Sequence, residues 1–354
     1  MNAKSNLEED ELIDAQPPRD VVAFNELRSC ADLFRLFSEE TLEIQPYFQR
    51  NAVWKAPDQS KFIDSLIKQL PIPSMCFSLD FHTQKWQVVD GLQRMTAIIS
   101  FLGNKEWRLS RLKEIDQKIS GRTNFDIRDG DEESKILYRR IQNLSLPITV
   151  IRCDQLRKDH SEYLFTIFHR LNSGGSKLNN QEIRNCIYSG IFNERLRDWD
   201  EKPKWKIVKN IIPGKGARFR SIELILRFLA LKTSLHDYSG NMPSFLNNFM
   251  RENRTPSKSV LAEWELAFDR AVTELLRAVD ALKLTSIGYT LLEAALLGIS
   301  ENIQKVPNFN KVVLGMKLQT LADTYAISGA DSKSDTTATA KVKDRIKEAQ
   351  KIFS

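Results

Sequence analysis

The chain has 354 residues, 42% of them hydrophobic and 28% charged, with a net charge of +6. This is the composition of a globular protein long enough for two domains. No apolar run approaches the roughly 20 residues a membrane helix needs. The acidic start, Glu8-Glu9-Asp10-Glu11, has no signal-peptide core, so a soluble cytoplasmic protein is expected.

Residues 1 to about 20 are polar and expected to be mobile. Residues 24–37 carry a helical pattern through Leu27, Leu33, Phe34 and Phe37. Thr41 to Ile44 reads as a strand before Pro46, and Tyr47 to Trp54 as a polar-aromatic loop. Phe62, Ile63, Leu66 and Ile67 recur at helical spacing within 58–69, and Pro71-Ile72-Pro73 ends that helix. Met75 to Leu79 and Trp86 to Val89 read as short strands, and a helix follows Gly91 as far as Gly103. Residues 104–145 are charged and irregular and read as an insertion. The β-branched run Leu146 to Cys153 predicts a strand.

Ser161 to Leu171 reads as a helix, followed by the glycine loop Asn172-Ser173-Gly174-Gly175-Ser176. Asn179 and Glu182 have capping-box spacing before a helix that runs to about Ser189. Beyond it the chain reads as almost all helix. Ser221 to Leu235 has a broad apolar face, and Leu261, Trp264, Phe268, Val272, Leu275, Val279 and Leu282 recur by threes and fours. Arg254 to Ser259 reads as a linker, and the polar tail from Ala330 as ending in one surface helix. The expected organisation is a mobile segment over 1–20, a mixed α/β domain over 21–190 and a helical domain over 191–354. The fold class is α+β.

The four cysteines, Cys30, Cys76, Cys153 and Cys186, are far apart and form no Cys-x-x-Cys pair. That spacing argues against structural zinc and a disulfide framework and fits a reducing compartment. The four histidines are equally scattered. No Walker A loop, Gly-x-Ser-x-Gly or His-Asn-His pattern is present. If the protein takes part in cutting nucleic acid, the cutting centre is expected on another chain.

Four clusters can carry chemistry. In Val88-Val89-Asp90-Gly91-Leu92-Gln93-Arg94 a strand runs straight into a helix. A Gly at that turn allows close backbone approach to a ligand, and a helix start offers N–H groups and a positive dipole end to phosphate. Asp-Gly is also an ordinary turn, with Asp90 as a candidate N-cap. Tyr47, Gln49, Arg50 and Trp54 form the second cluster, suited to stacking a base and holding a phosphate, or equally to a core edge with a salt bridge. Arg170, Asn172 and the glycines after them form the third, readable as an anion nest or as a helix C-cap. The fourth is the basic strip Lys202, Lys204, Lys206, Lys209, Lys215, Arg218 and Arg220, with Trp205 and Phe219 interleaved and Glu201 its one acid. It is a phosphate-backbone candidate or a solvated loop between helices.

The clusters, in this order and spacing, resemble one family. Ile44 to Trp54, Asp64-Ser65, Pro71-Ile72-Pro73, Val88 to Arg94, and Ile167 to Gly175 leading into Leu178-Asn179 and Gln181 to Arg184 look like the N-terminal domain of the GmrSD-type restriction endonucleases over about 40–235. The resemblance implies a fold like those of ParB and sulfiredoxin and nucleotide-linked work in bacterial defence against phage. It also implies modified DNA as a target and a His-Asn-His nuclease domain, fused in many members and not recognisable here. The family's Asp-Gly-Gln-Gln-Arg motif, assigned to nucleoside triphosphate binding or hydrolysis, is matched by Asp90, Gly91, Gln93 and Arg94. Leu92 departs from it, standing where the family usually has the first Gln.

The resulting expectation is a nucleotide-binding, conditionally hydrolysing sensor or regulatory subunit. Asp90, Gln93 and Arg94 would be catalytic, with Asp90 holding Mg2+ through the nucleotide. Tyr47, Gln49, Arg50, Gly91, Arg94, Arg170 and Asn172 would bind the nucleotide. Lys204, Lys206, Lys209, Lys215, Arg218 and Arg220 would touch DNA. The partners would be DNA, a separate nuclease or effector and a second copy of the chain, with no membrane. The alternatives are a non-catalytic DNA-binding adaptor and an endonuclease whose active site is not legible.

Overall fold

The computed structural model describes residues 16–44, 54–171, 178–213, 219–327 and 339–354. The chain forms two compact units, with the break between Leu178 and Asn179. The first is α+β and the second, over its described residues, is helical.

The first unit is built on a five-stranded mixed sheet of order β1-β5-β3-β4-β2. Its strands are β1 (Val22–Ser29), β2 (Leu42–Glu43), β3 (Met75–Asp80), β4 (Trp86–Asp90) and β5 (Ser145–Cys153). β1 pairs antiparallel with β5, β5 parallel with β3, β3 antiparallel with β4, and β4 parallel with β2. On one face Met75, Phe77, Trp86, Val88, Ile148 and Val150 are buried in a single core. The core is closed by α1 (Cys30–Ser38), α2 (Ala56–Ile67), α3 (Leu92–Gly103) and α5 (Glu132–Asn143). Each large apolar side chain fully withdrawn from water here contributes about 1.5–3 kcal/mol. On the other face Ser78 and Gln87 are buried, and α6 (Lys158–Leu171) packs against β4.

Two sequence expectations are corrected in this unit. Residues 24–37 are not one helix: 22–29 form β1, and only from Cys30 does the chain coil. Eight residues of β1 lie in register with β5, from Val22 opposite Arg152 to Ser29 opposite Ser145, and that pairing overrides the local period. Ser29 then starts α1, its Oγ accepting the Asp32 N–H at 3.1 Å. Residues 104–145 are not an irregular insertion. They hold α4 (Asn124–Arg128), capped by a Thr123/Asp126 box, and α5, capped by Asp131. They also bury Leu109, Ile115, Ile119, Ile127 and Ile141 in the main core. Their charges lie outward, and three or four apolar residues per helix suffice for the inner face.

The second unit runs through α7 (Asn180–Ile187), α8 (Ile191–Asp200), α9 (Pro203–Ile211), α10 (Arg220–Ser234), α11 (Met242–Glu252), α12 (Lys258–Leu282), α13 (Tyr289–Glu301), α14 (Lys311–Ile327) and α15 (Thr339–Phe353). α10 is buried on nearly every side over Leu224–Leu231, the signature of a central helix. Trp205 and Phe228 pack on Phe268 with ring centroids 5.1 and 5.8 Å away. α15 is not the surface helix expected of a polar tail: Val342, Ile346, Ala349 and Phe353 are all buried. Their spacing of four, three and four makes one narrow apolar stripe in a polar sequence. Gly298 lets α13 approach it, since a Cβ there would lie 2.6 Å from the Ala349 carbonyl oxygen.

Candidate functional site

The turn between β4 and α3 has an unusual geometry fixed by two constraints. Gly91 has φ +94°, a left-handed conformation that side-chain-bearing residues rarely adopt. A Cβ at this position would also lie 2.5 Å from Met75 Cγ. Gly91 itself is the N-cap of α3, and no side chain caps the helix. Asp90, the candidate N-cap of the sequence reading, therefore ends the strand instead.

The strand end carries a β-bulge. Phe77 pairs with Val88, but Cys76 pairs with Asp90, leaving Val89 as the extra residue. Without it, strand alternation would turn Asp90 toward the core face. The bulge re-aims it to the opposite face, a recurrent use of bulges beside functional sites. The Cys76 thiol is pushed up to about 12, first by burial and then by the charge of Asp90.

Asp90 and Arg94 form an ion pair at 2.8 Å across one helical turn. Arg94 also donates to the Pro73 carbonyl and, at 3.4 Å, to the Ser74 carbonyl. Its side chain is only 14% exposed, and burial lowers its pKa against the opposing pull of Asp90. Three of its five N–H groups are thus engaged within the protein. Gln93 Oε1 accepts the Trp54 backbone N–H at 3.2 Å. This bond joins the start of α3 to the end of the segment that carries Tyr47, Gln49 and Arg50. Leu92 packs against the main core, a role that a glutamine would fill poorly.

Of the other expected nucleotide residues, Tyr47, Gln49, Arg50 and Asn172 lie outside the described residues. Arg170 is exposed on the last turn of α6. Asn179 and Glu182 form the expected capping box, with reciprocal bonds of 2.9 and 2.8 Å. Among the described residues no three His, Cys, Asp or Glu side chains group as metal ligands.

Over its described residues the basic strip is largely helix rather than loop, and its described lysines have acidic or hydroxyl partners. Lys202 pairs with Glu265 and Asp269 at 2.6 and 2.5 Å, Lys206 with Glu201 at 2.9 Å, and Lys209 with Asp200 at 2.7 Å. Lys204 donates to Thr273 Oγ1 at 2.8 Å. Arg220 lies over the Tyr289 ring at 4.7 Å. Lys215 and Arg218 lie outside the described residues. Glu265 and Asp269 come from α12, so the lone Glu201 of the local sequence understates the acid present.

Two polar systems of the first unit escape sequence reading. Asp80 accepts from His82 N, Thr83 N, Thr83 Oγ1 and Gln155 N, which hold its carboxyl below the usual value against the effect of burial. His160, 3% exposed, accepts the Asp154 N–H on Nδ1 at 2.9 Å. Its Nε2 lies 3.0 Å from Asp20 Oδ1, so the proton belongs on Nε2 and is donated to Asp20. The partners of His160 lie 6 and 140 residues away, beyond any local pattern.

The class of protein is thus an α+β domain with a bulged, glycine-turned strand-to-helix junction, continued by a helical unit. Residues 33–189 match the family of the GmrSD restriction endonuclease, N-terminal domain. Over that span, somewhat less than half of its length, the chain is similar to a GmrSD N-terminal domain, and the similarity suggests a restriction-related protein. The match begins and ends earlier than the 40–235 span of the motifs, and it takes in the Asp90–Arg94 turn. No curated protein matches the chain. No described helix is long and apolar enough to cross a membrane.

Proposed function

We propose that the chain is a nucleoside-triphosphate-binding sensor or regulatory component of a restriction system, acting on DNA with a separate effector. The observation that carries this reading is the α3 start: no side chain caps it, and the Asp90–Arg94 pair stands at its first turn. N–H groups at a helix start, with the helix dipole behind them, favour phosphate. Arg94 keeps two further N–H groups for an anion.

Mg2+ fits this site as a companion of the nucleotide. Asp90 Oδ2 is paired with Arg94, and Oδ1 remains as one carboxylate ligand. A site with a single protein carboxylate suits a magnesium ion whose other ligands are phosphates and water. When bound, the ion would offset phosphate charge. Within the chain, Arg94 orients Asp90, and Gln93 holds the Trp54 backbone beside the turn.

Calorimetric titration with ATP, GTP and CTP plus Mg2+ tests this reading. The wild type is expected to bind at micromolar affinity and Arg94→Lys to bind at least tenfold more weakly, because a lysine cannot reproduce the guanidinium fork. Absence of binding of every triphosphate overturns the reading.

A second reading is favoured by the closed Asp90–Arg94 pair and by Leu92 in place of a polar side chain: a DNA-binding adaptor without catalysis. Arg220, held over Tyr289, and Lys204 are its candidate phosphate contacts. It predicts DNA affinity that falls steeply with salt, is indifferent to nucleotide and is weakened by Arg220→Ala.

A further inference from the structure

The bulge that re-aims Asp90 puts it at one end of a row of residues crossing four strands. Asn25 on β1 is opposite Thr149 on β5, Thr149 is level with Cys76 on β3, and Cys76 is opposite Asp90 on β4. Residues level across neighbouring strands share a face. The row is therefore on the face opposite the main core, and three strand spacings make it about 14 Å long.

The row is accessible toward its ends and closed at Cys76, which is only 6% exposed. Ser78 and Gln87, further along β3 and β4, are buried, whereas Asn25 and Ser74 are exposed and Thr149 is half-buried. The accessible groups are joined by hydrogen bonds. Ser74 Oγ lies 3.2 Å from Thr149 Oγ1, and Thr149 Oγ1 donates to Asn25 Oδ1 at 2.9 Å. The carboxamide oxygen is thereby used, which leaves the amide N–H groups of Asn25 to meet an outside acceptor. Ala23 and Leu27 flank Asn25 on the same face, and Leu27 is 72% exposed. Pro147, opposite Leu27, is half-buried.

An exposed apolar shelf with a hydroxyl and an amide set into it, leading to a phosphate-ready turn, has the polarity pattern of a nucleotide. We infer that the accessible β1–β5 part of this sheet face holds the nucleoside end of the ligand, with the base on the Leu27–Pro147 shelf and Asn25 and Thr149 reading its polar edge. The inference rests on the proposed triphosphate site and assigns Asn25, Thr149 and Leu27 a recognition role.

The test compares ATP, GTP and CTP with inorganic tripolyphosphate, all with Mg2+, on the full chain and on Asn25→Ala and Thr149→Val. Thermal melting checks that each variant is folded, and Asn25→Asp serves as a second, shape-conserving variant. The wild type is expected to bind at least one nucleotide about tenfold more tightly than tripolyphosphate, the difference of one or two net hydrogen bonds. Both substitutions are expected to remove that advantage and leave tripolyphosphate affinity unchanged. Equal affinity of the wild type for nucleotides and tripolyphosphate overturns the inference while the phosphate site stands. So does unchanged nucleotide affinity in all the variants. If the wild type binds neither probe, the triphosphate site fails and the inference fails with it.

Discussion

Arg184 and Glu223, 39 residues apart in the chain, form a 3.1 Å ion pair in the helical unit, where Arg184 is only 1% exposed. Arg184 Nε also donates to Asn247 Oδ1 and Nη1 to Gln181 Oε1, both at 2.9 Å. Glu223 holds Arg227 at 3.1 Å, and Glu293 accepts from Arg227 and Arg345 at 3.4 and 2.9 Å. Four helices, α7, α10, α13 and α15, are thus tied by one chain of charges.

Removing one member of such a network strands its partner. Arg184→Met is expected to cost about 3 kcal/mol, the lower end of the range for breaking buried pairs, because Glu223 keeps 21% of its side-chain surface in solvent. Urea unfolding measures it, and the double variant Arg184→Met/Glu223→Gln is expected to recover part of the loss. Burial pushes the Glu223 carboxyl up, but the charges of Arg184 and Arg227 outweigh it and hold the group below the usual 4.5. A lowered folded pKa contributes stability that is complete above pH 4.5 and is lost as pH falls through the folded value. The gap between wild type and Arg184→Met is therefore expected to be widest at neutral pH and to narrow below pH 4.5.

Gly91→Ala meets two obstacles at once. The residue must hold φ +94°, and its new Cβ must displace Met75 Cγ from 2.5 Å. The backbone term alone is about 1–2 kcal/mol, and the clash adds to it. Expected is a loss of about 2–3 kcal/mol in urea unfolding. Met75→Ala in the same chain relieves the clash but not the backbone term and adds a cavity. The double variant should therefore be no more stable than Gly91→Ala. A Gly91→Ala protein with wild-type stability would contradict the turn geometry.

Gln93 is a structural acceptor for the Trp54 N–H, whatever it does toward a ligand. Gln93→Ala leaves that part-buried donor unmet and is expected to cost about 1 kcal/mol and to alter Trp54 fluorescence. Gln93→Glu keeps an acceptor at the same reach and should hold stability near wild type at neutral pH. Equal stability of the wild type and the alanine variant would leave Gln93 without this positioning role.

Local chemistry was legible in the sequence and distant pairing was not. The Asn179/Glu182 box, the strand from Leu146 and the long helix through Trp264 and Phe268 follow from spacing alone, because each is set by residues within a few positions. β1 was missed because its partner β5 is remote: Thr149 and Asn25 are 124 residues apart, and Leu27 falls on a helical period by coincidence. The basic strip looked unopposed because Asp269, which meets Lys202, lies 67 residues further on. At the candidate site Gly91 and Arg94 were legible from the motif. The bulge that turns Asp90 was not, since it exists only in the pairing of β4 with β3.

The family match ends at Ser189, eleven residues past the break between the two units at Leu178 and Asn179. Those residues hold α7, which is buried from Asn180 to Ile187 within the helical unit. Expressed fragments cut at the two positions should differ. A fragment of residues 16–178 is expected to be the better behaved of the N-terminal pair. One ending at 189 carries Ile183, Ile187 and Arg184 without the helices that cover them, and should aggregate or bind a hydrophobic dye. In the C-terminal pair, 179–354 is expected to melt cooperatively. A fragment starting at 190 leaves Glu223 without Arg184 and Asn247 without its donor, so it should lose the cooperative transition or melt far lower. Circular dichroism melts of the four fragments decide it, and matched melting of the two C-terminal fragments would show that α7 is not part of the helical core.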